Sequence, residues 1–204
     1  LDTYLAAAYW GPRRETVEDC ARRASVFLAL LSQASDYFTG WRPLGRVRSV
    51  AAKAEPIGQS QDALIELFLK GRNRRDIDGD VIDELGFRIS VWNGRSDEEA
   101  ASLVMNCGLY SPVSGLSNAI VLKLPPCFET TISEIQVRQV TTSLAEAWDP
   151  DWAFFSSRSR FNIEKDRGPF LDRALYVRSS TSSPRDLPVN VVNQKVAHGH
   201  LFVS

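Results

Sequence analysis

Gly86-Phe87-Arg88-Ile89-Ser90-Val91-Trp92-Asn93-Gly94 is the stretch on which the fold turns. Phe87, Ile89 and Val91 alternate with Arg88, Ser90 and Trp92. Successive side chains of a strand point to opposite faces, so the alternation predicts a strand with one buried face. Asn93-Gly94 is a turn dipeptide that ends it. Leu103, Met105 and Cys107 alternate again, as the return arm of a hairpin with a longer loop would. Asn118 to Leu124 predicts a third strand, stopped by Pro125-Pro126.

Helices flank this set. Val17, Cys20, Ala21, Ala24, Phe27, Leu28 and Leu31 recur at three- and four-residue steps, which predicts a helix over Glu15 to Gln33 with one apolar stripe. A loop through Trp41-Arg42-Pro43 follows. Ser60 can cap a second helix and Gly71 can end it, with Ala63, Leu64, Leu67 and Phe68 buried. Thr131 and Glu134 form a capping-box pair for a third helix, with Ile132, Ile135, Val140, Leu144 and Trp148 near one face. Thr3 to Tyr9 predicts a first strand, broken by Tyr9-Trp10-Gly11-Pro12. Trp152 to Phe155 predicts a central or partly buried strand. After Ser156 the pattern weakens. Leu175 to Val177, Val189 to Val192 and Leu201 to Val203 fit short strands, and Ser179 to Pro188 is turn-rich. Consecutive strands joined by short turns imply an α+β fold: a mostly antiparallel or mixed sheet with about three helices packed on one side of it. At 204 residues the chain suits a single domain over 1–204.

Twenty-four basic and 25 acidic side chains leave a net charge of −1, where a dedicated nucleic-acid binder is clearly basic. The balance is uneven along the chain. Residues 1–54 carry 8 bases and 5 acids, and 55–99 carry 6 and 11; 100–155 carry 2 and 5, and 156–204 carry 8 and 4. The middle is therefore acidic, and acidic surface steers basic partners. Cys20, Cys107 and Cys127 are odd in number and widely spaced, without a CxxC pair, and fit a reducing cytoplasm. No apolar run reaches the roughly 20 residues that cross a bilayer, so no membrane role is expected.

Catalytic signatures are absent. There is no Walker A loop, GxGxxG, GxSxG or HExxH. Asp76-Ile77-Asp78-Gly79-Asp80 begins like a calcium loop, but Val81 and Phe87 stand where Gly and Glu are needed. His198 and His200 lie at i and i+2 on an expected strand, one face of it, without flanking metal ligands. Neither a cofactor nor a metal is expected, and the chain is expected not to be an enzyme.

Several segments, taken in order, carry a resemblance. They are Tyr9-Trp10-Gly11, Arg14-Glu15, Cys20-Ala21-Arg22-Arg23 with Phe27-Leu28, and Trp41. Gly71-Arg72-Asn73-Arg74-Arg75-Asp76, Leu85-Gly86-Phe87, Trp92-Asn93-Gly94, Tyr110-Ser111 and Asp149-Pro150-Asp151-Trp152-Ala153 follow. In order and spacing this series resembles the immunity 52 family of bacterial polymorphic-toxin systems, most strongly over Leu5 to Phe155, with 156–204 divergent. The resemblance implies a cytoplasmic α+β inhibitor made beside its toxin. The toxins associated with the family resemble restriction endonucleases and are often delivered by type VI secretion. It carries over no catalytic residue. Strong acidity is common in nuclease inhibitors; near-neutrality here argues against simple DNA mimicry.

The expected partner is thus a cognate effector, a DNase, and not nucleic acid itself. Its contact is expected in the acidic middle: Asp76, Asp78, Asp80 and Asp83, then Trp92, Arg95, Asp97, Glu98 and Glu99, which complement a cationic DNA-binding groove. Trp92 is the tryptophan favoured as an anchor, because it faces away from Phe87, Ile89 and Val91; Trp10 and Trp148 are expected in the core. Arg72, Arg74 and Arg75 allow two readings, an ion-pair network with the neighbouring acids or a phosphate site. The latter would suit a small enzyme acting on nucleic acid. A secretion-system adaptor is the third class.

Overall fold

A computed structural model describes residues 2–44, 53–58, 60–181, 187–188 and 191–204. Its frame is a nine-stranded sheet. In chain order the strands are β1 (Tyr4–Trp10), β2 (Arg42–Pro43), β3 (Phe87–Trp92), β4 (Ser102–Cys107), β5 (Asn118–Leu124), β6 (Trp152–Ser157), β7 (Ala174–Arg178), β8 (Val192–Val196) and β9 (Gly199–Val203). Their spatial order is β2-β3-β4-β5-β1-β6-β7-β9-β8, and every neighbouring pair is antiparallel. The α+β expectation stands, with the mixed alternative resolved to antiparallel. The predicted hairpin is present: Phe87 pairs with Cys107 and Trp92 with Ser102.

Three longer helices cover one face: α1 (Val17–Ala34), α2 (Gln61–Lys70) and α4 (Glu134–Trp148), the last preceded by the short α3 (Phe128–Thr131). Helix α1 packs against both α2 and α4. Thr16 and Asp19 close a capping box on α1, and Ser60 caps α2 as expected. On α4 the box is shifted by two residues. Ser133 and Gln136 form it, while Thr131 belongs to α3 and its hydroxyl donates to the Cys127 carbonyl. The shift turns Ile135 out to solvent, 68% exposed, away from the apolar face expected of it.

The core under these helices starts from alternation on β1. Tyr4, Ala6, Ala8 and Trp10 point into it, meeting Phe27, Leu28, Leu31, Leu144 and Trp148. Small side chains on the central strand let helices approach closely. Trp10 stacks on Trp148 with ring centroids 5.7 Å apart. Strand β1 runs through Trp10, one residue past the expected Tyr9, because that ring is part of the core.

Leu5 and Ala7 point the other way and join Phe154, Phe170, Leu175 and Val177 in a second apolar layer. A helix invisible to the sequence reading, α5 (Arg158–Glu164), lies there with Phe161 stacked 5.6 Å from Phe154. Helices therefore occupy both faces. Two further expectations shift: Arg42-Pro43, expected as loop, is the edge strand β2, and the Val189–Val192 strand runs instead from Val192 to Val196, residues 189–190 lying outside the described residues. Within the turn-rich stretch Ser179–Pro188, residues 182–186 also lie outside them.

Candidate partner-binding surface

The first acidic segment is an excursion between α2 and β3. Isolated pairings Arg72↔Phe87 and Arg74↔Val81 fasten its base. At its tip the Gly79 N–H donates to the Arg75 carbonyl and the Arg75 N–H to the Asp80 carbonyl. Gly79 holds a φ of +75°, which suits glycine. Arg74 Nη1 donates to the Gly79 carbonyl, and Arg75 stands 3.9 Å from Asp78. Two of the three arginines are therefore spent on bracing the loop, which favours the internal-network reading over the phosphate site. Asp76, Asp78, Asp80 and Asp83 are exposed, and among them Ile77 is 98% exposed.

The second acidic segment is the β3–β4 loop. Asn93 ties its ends: its N–H donates to the Ala101 carbonyl, and its side-chain oxygen accepts from the Ala101 N–H at 2.9 Å. Arg95 lies over the Tyr37 ring at 5.0 Å and donates to the Asp36 carbonyl. The Tyr37 hydroxyl donates to the Glu99 carbonyl at 2.5 Å. Burial, chiefly, raises the Tyr37 pKa, so this donor keeps its proton. Asp97, Glu98 and Glu99 are exposed on the scaffold so formed. Trp92 is not: it lies on the face predicted for it, but is only 8% exposed. The expectation of an open anchor is therefore corrected: the ring is buried.

The two segments are neighbours in sequence but not in space. Strand β3 separates them, with the excursion at its Phe87 end and the loop beyond its Trp92 end. Six residues at about 3.3 Å each put them roughly 20 Å apart. Both flank the β2–β3 margin of the sheet.

The remaining signature residues gather at the Phe87 end. Gly11 N–H donates to Asp151 Oδ2 at 3.0 Å, joining positions 140 residues apart. Asn118 accepts from the Leu109 N–H and donates to the Gly11 and Leu109 carbonyls. Arg13 donates to the Trp148 and Asp149 carbonyls at the end of α4 and lies over Trp10. Glu15, its side chain 6% exposed, bridges Arg13 and Arg23 at 3.3 and 2.6 Å. Asp149 ends α4 in the left-handed region, φ +48°, and pairs with Arg178 and His198. Burial pushes its pKa up, but hydrogen bonds from His198 and Arg178 outweigh that and leave it lowered. These residues hold chain segments together.

Their chemistry is correspondingly quiet. Burial first, then neighbouring Cys20, pushes the Cys107 thiol well up, so it stays protonated at neutral pH. His198 sits in the β8–β9 turn rather than on a strand with His200, so the two do not share a strand face. Among the described residues no group of three His, Cys, Asp or Glu side chains is placed to hold a metal ion, and no helix is long and apolar enough to cross a membrane.

The family model described as Immunity protein 52 matches residues 2–203, and the chain belongs to that family. The match continues past Ser156. A solved structure described as Pseudomonas aeruginosa T6SS protein PA0821 is similar, with a TM-score of 0.52 and 7% identity, over 98% of this chain and 68% of that one. At that identity the likeness is one of fold. No curated protein matches.

Proposed function

We propose that this immunity protein binds a cognate secreted nuclease toxin, restriction-endonuclease-like and delivered by type VI secretion, and neutralises it in the cytoplasm of the producing cell. Membership of the immunity family supports an inhibitor that works by contact. The observation that carries the choice of partner is the pair of braced acidic loops at the β2–β3 margin. Cationic clefts that grip DNA phosphates are their complement. A standard interface buries about 800 Å² per partner, enough to reach across both loops. Its residues on this side are Asp76, Asp78, Asp80 and Asp83 with Arg95, Asp97, Glu98 and Glu99. Exposed Ile77 adds an apolar contact among the acids.

The test uses the toxin encoded beside the gene. Association is followed by stopped flow for the unaltered chain, for Asp76→Lys/Asp78→Lys/Asp80→Lys and for Asp97→Lys/Glu98→Lys/Glu99→Lys. Each triple reversal is expected to slow association about ten-fold or more at low salt, since steering charges act on the on-rate. Unchanged association in both variants would place the interface elsewhere. In a companion incubation with plasmid and Mg²⁺, the isolated chain is expected to leave the DNA intact.

A further inference from the structure

The second face of the sheet holds a surface of opposite character. In register, Leu5, Ala7 and Tyr9 of β1 lie beside Lys123, Val121 and Ala119 of β5 and beside Ser156, Phe154 and Trp152 of β6. Helix α5 covers β6, through Phe161 on Phe154. Beside it Leu5, Ala7 and Ala119 are buried, while Val121 of β5 is partly exposed and Lys123 exposed. A depression lies at each end of β1. One, about 390 Å³, is lined by Tyr9, Trp152, Phe161 and Lys165, with Asp151 at its Gly11 side. The other, about 210 Å³, is lined by Leu5, Lys123 and Arg158. Arg158 and Phe161 connect them, the guanidinium lying 5.5 Å from the ring centroid. The positive charge of Arg158 also acts on the Tyr9 hydroxyl in the other depression.

Three exposed cations, Lys123, Arg158 and Lys165, border this groove, and none forms an ion pair among the described residues. Of the nearby carboxylates Asp166, beside Lys165, is exposed, and three others are engaged. Asp2 accepts from Ser159, Glu164 pairs with Arg160 and Arg167, and Asp151 accepts from the Gly11 N–H and stands 4.0 Å from Arg178. Tyr9 and Trp152, stacked at 5.1 Å, are only partly covered and supply an apolar floor at one end. Leu5 and Tyr9, one in each depression, lie about 13 Å apart along β1, a span that an extended segment of about five residues bridges.

We propose that this groove seats an extended acidic segment of the partner protein, its carboxylates meeting Lys123, Arg158 and Lys165 and an apolar side chain resting on Tyr9 and Trp152. The partner is the toxin of the preceding reading, on which this assignment of the occupant rests. The groove would give that toxin a second contact, opposite in sign to the acidic loops. Complementary charge of both signs fixes one docking orientation, since a rotated partner would set like charges together.

The experiment has two arms. In the first, the full chain is titrated at low salt with dye-labelled poly-L-glutamate of about 15 residues, binding being read from dye anisotropy and tryptophan emission. Saturable binding is expected, weakened at least about ten-fold in Lys123→Glu/Arg158→Glu/Lys165→Glu and to a lesser extent in the corresponding glutamine variant. Thermal midpoints of both variants check folding. No binding, equal binding by chain and variants, or equally tight binding of single-stranded DNA of matched length through the same three residues would overturn the groove's assignment to an acidic peptide. In the second arm, toxin affinity is measured for the same proteins. A loss of about ten-fold or more in the glutamate variant supports the toxin as occupant, and unchanged affinity removes it. Failure of the unaltered chain to bind toxin at all would overturn the preceding reading and the toxin as occupant, while poly-L-glutamate binding would still report on the groove.

Discussion

Gly86 shows how much one residue can fix. It has a φ of +61°, and a Cβ there would stand 2.3 Å from the Cys107 carbonyl oxygen. Both facts forbid a side chain where β3 begins beside β4. Gly86→Ala is expected to cost at least roughly 1–3 kcal/mol from the backbone alone, read as a lower urea midpoint with unchanged slope. Asp149 makes a pH-dependent contribution. Its folded pKa lies below the ordinary aspartate value of 3.8, so the stability it adds is present above that value and lost as pH falls through the folded one. Asp149→Asn tolerates the same left-handed backbone and removes only the charge. The variant should melt below the native chain at pH 7, and the gap should close below about pH 4 in a thermal series. Sequence placed Gly86 at the head of the alternating stretch. It could not show Asp149 meeting Arg178 and His198, because those residues lie 29 and 49 positions away.

Elements were legible where one periodicity dominated and obscure where few contacts decide. The stripe of α1 and the alternation of β3 and β4 each repeat a burial pattern, so side chains report their surroundings. Helix α5 has no fully buried residue, and Phe161 alone joins it to the core cluster, so no stripe marks it. Strand β8 is exposed over four of five residues and shows no alternation. Thr131-x-x-Glu134 and Ser133-x-x-Gln136 satisfy the same capping rule; the intervening α3 decides for the second. Ser133→Ala is accordingly expected to cost about 1 kcal/mol in chemical denaturation, and Thr131→Ala distinctly less. In the β3–β4 loop the Glu99 carbonyl accepts from both the Tyr37 hydroxyl and the Asn93 side chain. Tyr37→Phe removes the bond to the Glu99 carbonyl, and amide exchange over residues 96–101 should quicken while the strands stay protected.

At the scale of the whole molecule, proximity in sequence misled. Asp76 through Glu99 looks like one acidic patch on paper, yet β3 sets its two halves at opposite ends of a strand. Net charges summed over segments also hid the second face, where Lys123 and Arg158 come together from regions of opposite net sign. If steering by the acidic loops operates, the slope of log association rate against ionic strength should flatten by a similar amount in each acidic triple variant, because each reverses three of the seven carboxylates.

The middle of the sheet is made by Tyr4–Trp10, and that has a bearing on how the chain is born. Both partners of this strand, Asn118–Leu124 and Trp152–Ser157, leave the ribosome long after it does. At about 5–20 residues per second, Leu-Ala-Ala-Ala-Tyr-Trp waits many seconds for a neighbour, with an apolar strand unmated. Nascent chains stalled before residue 118 should accordingly be bound by holding chaperones more than those released after residue 157.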